Sequence, residues 1–296
     1  MPSSLAIDDS VLAAVDDLSL VAKVVVEGFF DGLHRSPFLG YSTEFSAYRP
    51  YVNGDNLRYV DWKVWGRTDE FYVKQFEDDT NLRCHIFLDT SGSMDFGAGG
   101  TNKFNYARTL AAVLAFLMVR QHDAPGLIIF GAQTKQTAPP SSTRHHADEL
   151  FHVLSGLKAD GRTNIDTPLL QMAQTLTRRG LAVVISDFLG GGERCFELLR
   201  QLHGQGQEVL AFHLMTPEEL ELPYEGDFIM EDSESGEEIQ IEAEGFRTEY
   251  RRRVNDFCSR VVQECTKLEI ECQLLRTDTP LDVALMTYLE KRSAYQ

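Results

Sequence analysis

The segment Asp89-Thr90-Ser91-Gly92-Ser93 sets a carboxylate and two hydroxyls at alternate positions, directly after the apolar run Cys84-His85-Ile86-Phe87-Leu88. Such a run reads as a short buried strand, so these oxygens fall at its carboxyl end, where open α/β sheets place their ligand sites. Alternate side chains in a loop can converge on one point. Hard oxygens of this kind suit Mg²⁺, which asks for near-octahedral oxygen ligation and retains several waters. Two more donors occur where such a site would need them. Gly161-Arg162-Thr163 opens a helical pattern over 165–178, which puts the Thr163 hydroxyl in a loop at the same sheet edge, and Asp187 ends the apolar stretch 181–187 as Asp89 ends its own. The candidate metal ligands are therefore Asp89, Ser91, Ser93, Thr163 and Asp187. The plainer alternative is that the two acids only cap helices; the three-part combination argues against it.

Positioning these residues requires strands that alternate with helices, and the pattern supplies them from residue 83 onward. Strand patterns at 84–89, 126–130, 181–187, 208–212 and 268–275 are separated by helical periodicity at 104–120, 144–155, 165–178, 196–202 and 246–266, with a last helix at 281–289. Residues 134–138 read as an edge strand pairing with 126–130. Apolar, β-branched strands between helices predict a mostly parallel, doubly wound sheet covered on both faces. Ahead of it, 9–31 has the three- and four-residue apolar spacing of an amphipathic helix. Residues 39–83 instead alternate aromatics with charges and predict a β-rich extension. Residues 227–242 read as a hairpin turning at Ser235-Gly236. The division that follows is 1–82 for the helix and extension, 83–216 for the core, 217–245 for an acidic hairpin insertion, and 246–296 for the last helices and core strand.

The Asp-x-Ser-x-Ser, threonine and second aspartate together resemble the metal-ion-dependent adhesion site of von Willebrand factor A domains, over roughly residues 82–215 and 266–290. That resemblance implies direct ligation by Ser91 and Ser93, direct or water-mediated ligation by Thr163, and mainly water-mediated contact from Asp89 and Asp187. The flanks narrow it. Tyr48-Arg49-Pro50-Tyr51, Gly54-Asp55, Arg58-Tyr59-Val60-Asp61-Trp62, Arg67-Thr68 and Thr279-Pro280-Leu281 are similar to the bacterial family numbered fifty-eight among domains of unknown function. Genes of that family typically accompany a MoxR-type AAA+ ATPase. The resemblance implies a non-enzymatic adaptor that binds Mg²⁺, with Mn²⁺ or Ca²⁺ as substitutes, and a protein partner that supplies an Asp or Glu carboxylate to the ion.

Composition sets the outer bounds. The 296 residues are 43% hydrophobic and 25% charged, as in an ordinary globular chain. A net charge of −17 excludes a duplex-binding face unless charge is segregated, and the segregation runs the other way. Residues 217–249 hold 13 acids and one base, Arg247. These acids read first as a solvated edge and second as a steering surface for a basic partner. Cys84, Cys195, Cys258, Cys265 and Cys272 include no CxxC pair, which predicts free thiols in a reducing compartment. With no basic signal-peptide start and no long apolar run, the expectation is a cytoplasmic protein without membrane insertion.

Other chemistries fit less well. A haloacid-dehalogenase-like phosphatase needs a second carboxylate two residues after the first, where this chain has Ser91. Neither Gly97-Ala98-Gly99-Gly100 nor Gly190-Gly191-Gly192 matches a phosphate-binding loop. His145, His146 and His152 have no zinc-ligand spacing and read as surface histidines. A metal-assisted hydrolase or phosphatase using the same Mg²⁺ is the runner-up to the adaptor.

Overall fold

Strands buried on both faces cannot alternate polar and apolar residues, and the central strands of this chain do not. The computed structural model describes residues 17–34, 48–50, 66, 72–74, 82–131, 134–161, 165–176, 179–231 and 238–295. Strands β3 (Arg83–Asp89), β4 (Ala124–Phe130), β6 (Gly180–Ser186), β7 (Gln207–Met215) and β10 (Glu271–Arg276) run parallel, and β5 (Thr134–Ala138) pairs antiparallel with β4. Their spatial order is β10-β7-β6-β3-β4-β5. From β3 the chain moves outward one way to β4 and β5, then returns beside β3 and moves the other way through β6, β7 and β10. The reversal between β3 and β6 is the topological switch point of a doubly wound sheet. It is where Asp89 ends β3 and Asp187 follows β6.

Helices cover both faces. On one lie α1 (Leu18–His34), α2 (Lys103–Arg120), α3 (Arg144–Ser155) and α8 (Asp282–Tyr295), which bury Val26, Leu110, Leu114, Leu150 and Leu285 against Ile86, Leu88, Val183 and Phe212. On the other lie α4 (Asp166–Thr175), α5 (Glu193–Gly204) and α7 (Ala243–Lys267), with Leu169, Leu199 and Val261 against Phe87, Val184 and Ala211. Between β7 and α7 the chain forms the short helix α6 (Pro217–Glu221) and the hairpin β8 (Asp227–Glu231) and β9 (Glu238–Glu242). Two strands, β1 (Tyr48–Pro50) and β2 (Tyr72–Lys74), pair antiparallel within the aromatic segment.

Element types follow the sequence expectation, and the bounds differ for identifiable reasons. The strand anticipated from residue 268 starts at Glu271 because Leu268 and Glu269 form the turn that ends α7, with Glu269 in the left-handed region (φ 59°). The short helix α6 was not anticipated, although Thr216 caps it, Pro217 opens it and Glu219 returns the bond in a capping box. The first part of the helix anticipated over 9–31, the turn at Ser235-Gly236 and most of the aromatic segment lie outside the described residues. Among the described residues no helix is long and apolar enough to cross a membrane.

The tightest point of the sheet is the start of β6. A Cβ on Gly180 would lie 2.5 Å from the Arg83 carbonyl oxygen and 3.0 Å from Gln207 Oε1, while one on Gly204 would meet nothing within 4 Å. Gly180→Ala should therefore lower the urea unfolding free energy by about 1–3 kcal/mol, and Gly204→Ala should leave it unchanged or raise it by up to about 1 kcal/mol.

Candidate functional site

Asp89 is fully buried at the end of β3, and both its carboxylate oxygens are engaged. Oδ1 accepts from the Ser91 main-chain N–H at 3.0 Å, and Oδ2 accepts from the Ser186 hydroxyl at 2.6 Å. The first bond turns the chain out of the strand, and a single 3-10 turn follows at Gly92–Met94. That geometry brings Ser91 Oγ to 3.0 Å from Ser93 Oγ. Thr90, between the acid and the serines, is held away from them. Its main-chain N–H and its hydroxyl both donate to the Phe130 carbonyl at 2.8 Å, tying the loop to the end of β4. A second tie reaches the loop before α4. Gly92 N–H donates to the Gly161 carbonyl at 2.7 Å and Asp160 N–H to the Thr90 carbonyl at 3.0 Å. Gly161 has φ 77°, a conformation that favours glycine. Thr163 itself lies outside the described residues.

Asp187 follows β6 and repeats the local arrangement of Asp89: its Oδ1 accepts from Leu189 N–H, two residues on, at 3.1 Å. Both acids thus stabilise the turns that leave their strands, and neither bond is to a regular helix. The other Asp187 oxygen is taken by a residue that sequence reading passed over. Lys103, at the start of α2, is fully buried, and its Nζ donates at 2.7 Å to Asp187 Oδ2 and at 2.7 Å to Glu219 Oε1. Glu219 keeps its second oxygen for the Thr216 N–H at 2.9 Å. Lys103, just ahead of the apolar helical pattern of 104–120, and Ser186 beside Asp187 carry no local pattern that marks them as part of the site.

The electrostatics are those of buried carboxylates close to one another. Burial, with the nearby Asp187 charge second, pushes the Asp89 carboxyl up to about 7 even though Ser186 and Ser91 donate to it. Burial works against the Lys103 charge, but Asp187 and Glu219 outweigh it and hold the ammonium above its ordinary value. His213, buried on β7 between the rings of Phe188 and Phe257, is pushed down to about 4, chiefly by burial.

The donor set fits a small hard cation. Two ligands at adjacent corners of an octahedron with metal–oxygen bonds of about 2.0–2.1 Å stand about 2.9 Å apart, close to the spacing of the two serine hydroxyls. A soft or borderline metal is served poorly, since among the described residues no three His, Cys, Asp or Glu side chains cluster. The three histidines separate: His145 and His152 are exposed, whereas His146, expected at the surface, is buried and bonds the Pro125 carbonyl at 2.9 Å through Nε2. All five cysteines are free, with Cys84, Cys195, Cys258 and Cys265 buried.

A mostly parallel, doubly wound sheet covered by helices on both faces is a von Willebrand A- or Rossmann-like α/β fold. The chain belongs to the family described as "Protein of unknown function DUF58", whose profile matches residues 47–258. It is 32% identical over 238 residues to an uncharacterized protein of Mycobacterium tuberculosis, covering 77% of this chain and 73% of that one. A shorter uncharacterized protein of Mycobacterium avium is 28% identical over 165 residues, 52% of this chain and 92% of the relative. Among solved structures the chain is similar to the conserved hypothetical protein BatB of Bacteroides thetaiotaomicron, with a TM-score of 0.48 at 17% identity over 72% of this chain and 99% of that one. It is also similar to a von Willebrand factor type A protein of Catenulispora acidiphila, with a TM-score of 0.36 at 13% identity over 49% and 34% of the two chains.

Ser186 carries the shortest bond to Asp89, and its Oγ also accepts from Phe188 N–H at 3.0 Å. Ser186→Ala leaves a buried carboxyl oxygen and a buried N–H without their partner. It should cost about 1–3 kcal/mol of stability in denaturant titrations.

Proposed function

We propose that this chain is a protein-binding adaptor that holds a divalent cation, Mg²⁺ in the first instance, and uses it to capture a carboxylate on a partner protein. The observation that carries the reading is the 3.0 Å pairing of Ser91 Oγ with Ser93 Oγ at the switch point, beside two strand-ending acids. Ser91 and Ser93 would hold the ion directly. Asp89 and Asp187, whose oxygens already accept bonds from the protein, suit contact through water, and Thr163 completes the proposed set. When bound, such an ion keeps an open coordination position and much of its positive charge, since its direct ligands are neutral hydroxyls.

The surroundings support capture of an acid. A chain of net charge −17 repels a carboxylate at long range, so a fixed cation is the feature able to reverse that preference locally. The rim offers apolar area as well: Leu189, two residues after Asp187, is 50% exposed. Area of this kind must supply the affinity and selectivity that one ion–carboxylate bond cannot. The reading makes the chain an adaptor rather than an enzyme. The alternative, a hydrolase using the same ion, needs a general base, and the groups nearest the site are committed elsewhere: Asp187 to Lys103, and His213 behind Phe188. The family resemblance extends the proposal to a MoxR-type AAA+ ATPase as working partner, in assembly or maturation of protein complexes in the cytoplasm.

The test is calorimetric titration with Mg²⁺, followed by capture of purified MoxR-type ATPase with and without chelator. Ser91→Ala and Ser93→Ala should each weaken Mg²⁺ binding at least tenfold and abolish the chelator-sensitive part of capture. Leu189→Asp should weaken capture while leaving Mg²⁺ binding within about twofold, because Leu189 adds contact area and no metal ligand. Capture that is the same with Mg²⁺ and with chelator would sink the proposal.

A further inference from the structure

Lys103 breaks two local rules at once. It is a cation at the start of an 18-residue helix, where the helix dipole favours anions, and it is a lysine with no solvent exposure. Its four methylenes could have been replaced by a leucine or methionine in that apolar setting. A site that breaks local preference in this way is expected to carry a function. The geometry says which. The ammonium lies between Asp187 Oδ2 and Glu219 Oε1, 2.7 Å from each, so it occupies the oxygen of Asp187 left over from the Leu189 bond.

We propose that Lys103 is a resident counter-cation that competes with the divalent ion for Asp187, keeping the site folded when empty and its ion exchangeable. This rests on the metal-binding reading above and deepens it. Asp89, Asp187 and Glu219 are three buried or nearly buried carboxylates. Lys103 offsets part of that charge, and a divalent ion would offset more of it. A cation that the chain already carries spares the empty site the cost of packing acids together unpaired. It also raises the free energy of the loaded state, because a +1 charge stands close to the +2 ion. A +1 and a +2 charge drawn to the same carboxylate repel each other, and the drier the site the stronger that repulsion. The ion is therefore bound weakly enough to leave, and the fold does not wait for it.

Isothermal titration with Mg²⁺ and thermal unfolding with and without Mg²⁺, on the whole chain, test this. Lys103→Met should bind Mg²⁺ at least tenfold more tightly than wild type. Its melting temperature should be lower than wild type in chelator and should rise much further on adding Mg²⁺. Glu219→Gln should act in the opposite sense, leaving the ammonium to Asp187 alone and weakening Mg²⁺ binding. Should Lys103→Met fail to fold in chelator, Lys103→Gln, which keeps a donor, supplies the same affinity comparison. Equal or weaker Mg²⁺ binding by the Lys103 variants, with normal binding by wild type, overturns the competition while the metal site stands. Mg²⁺ binding by the Lys103 variants but not by wild type supports the competition and overturns Mg²⁺ as the ion of the wild-type site. No Mg²⁺ binding by any of them overturns both.

Discussion

Two carboxylates from separate strands meet at the centre of the sheet, and the burial of that negative charge is the constraint the surroundings answer. Doubly wound topology forces the meeting: β3 and β6 are neighbours only because the chain reverses direction between them, and both end at the same edge. Burial and mutual repulsion raise the cost of ionising Asp89, which is why its two oxygens draw in donors from Ser91 and Ser186. Asp187 draws in Lys103 from a different element. At the other end of the strands the buried Asp123 accepts from Leu82 N–H and the Tyr288 hydroxyl.

From that constraint the rest of the site is built in layers. The acids fix the turns, the turns aim the two serine hydroxyls at one another, and ties to Phe130 and Gly161 hold the loop against β4 and the segment before α4. Lys103 and Glu219 extend the network to α6, which leads into the β8–β9 hairpin. The network therefore joins the first core strand to the acidic insertion, some 130 positions later in the chain.

The sheet and the acids were legible because their signals are local. An apolar run ended by Asp and followed by alternate serines reads the same way in sequence and in space, and so does the second strand ended by Asp187. Lys103, Glu219 and Ser186 were not legible as part of the site, since each acts across 84 or more positions of sequence and has no local pattern to mark it. The start of β10 was misplaced because apolar Leu268 and Ile270 resemble a strand, while the left-handed Glu269 between them is set by how α7 must end. His146 misled in the opposite way: its ring belongs to a polar side chain on a surface helix, yet it reaches inward to the Pro125 carbonyl of β4, which also accepts from Ser141 N–H. Local chemistry fixes what a residue can do; which distant carbonyl or carboxylate it finds is decided by topology.

The strand ends anchor the charged groups, whereas the neighbouring positions Asp95, Ala98, Leu189 and Gly190 stand in solvent and contribute little to the interior. Descendants of this scaffold can therefore exchange those outward residues without disturbing the buried carboxylates or the donors that hold them. Divergence in such a lineage would be concentrated in a ring around an unchanging centre.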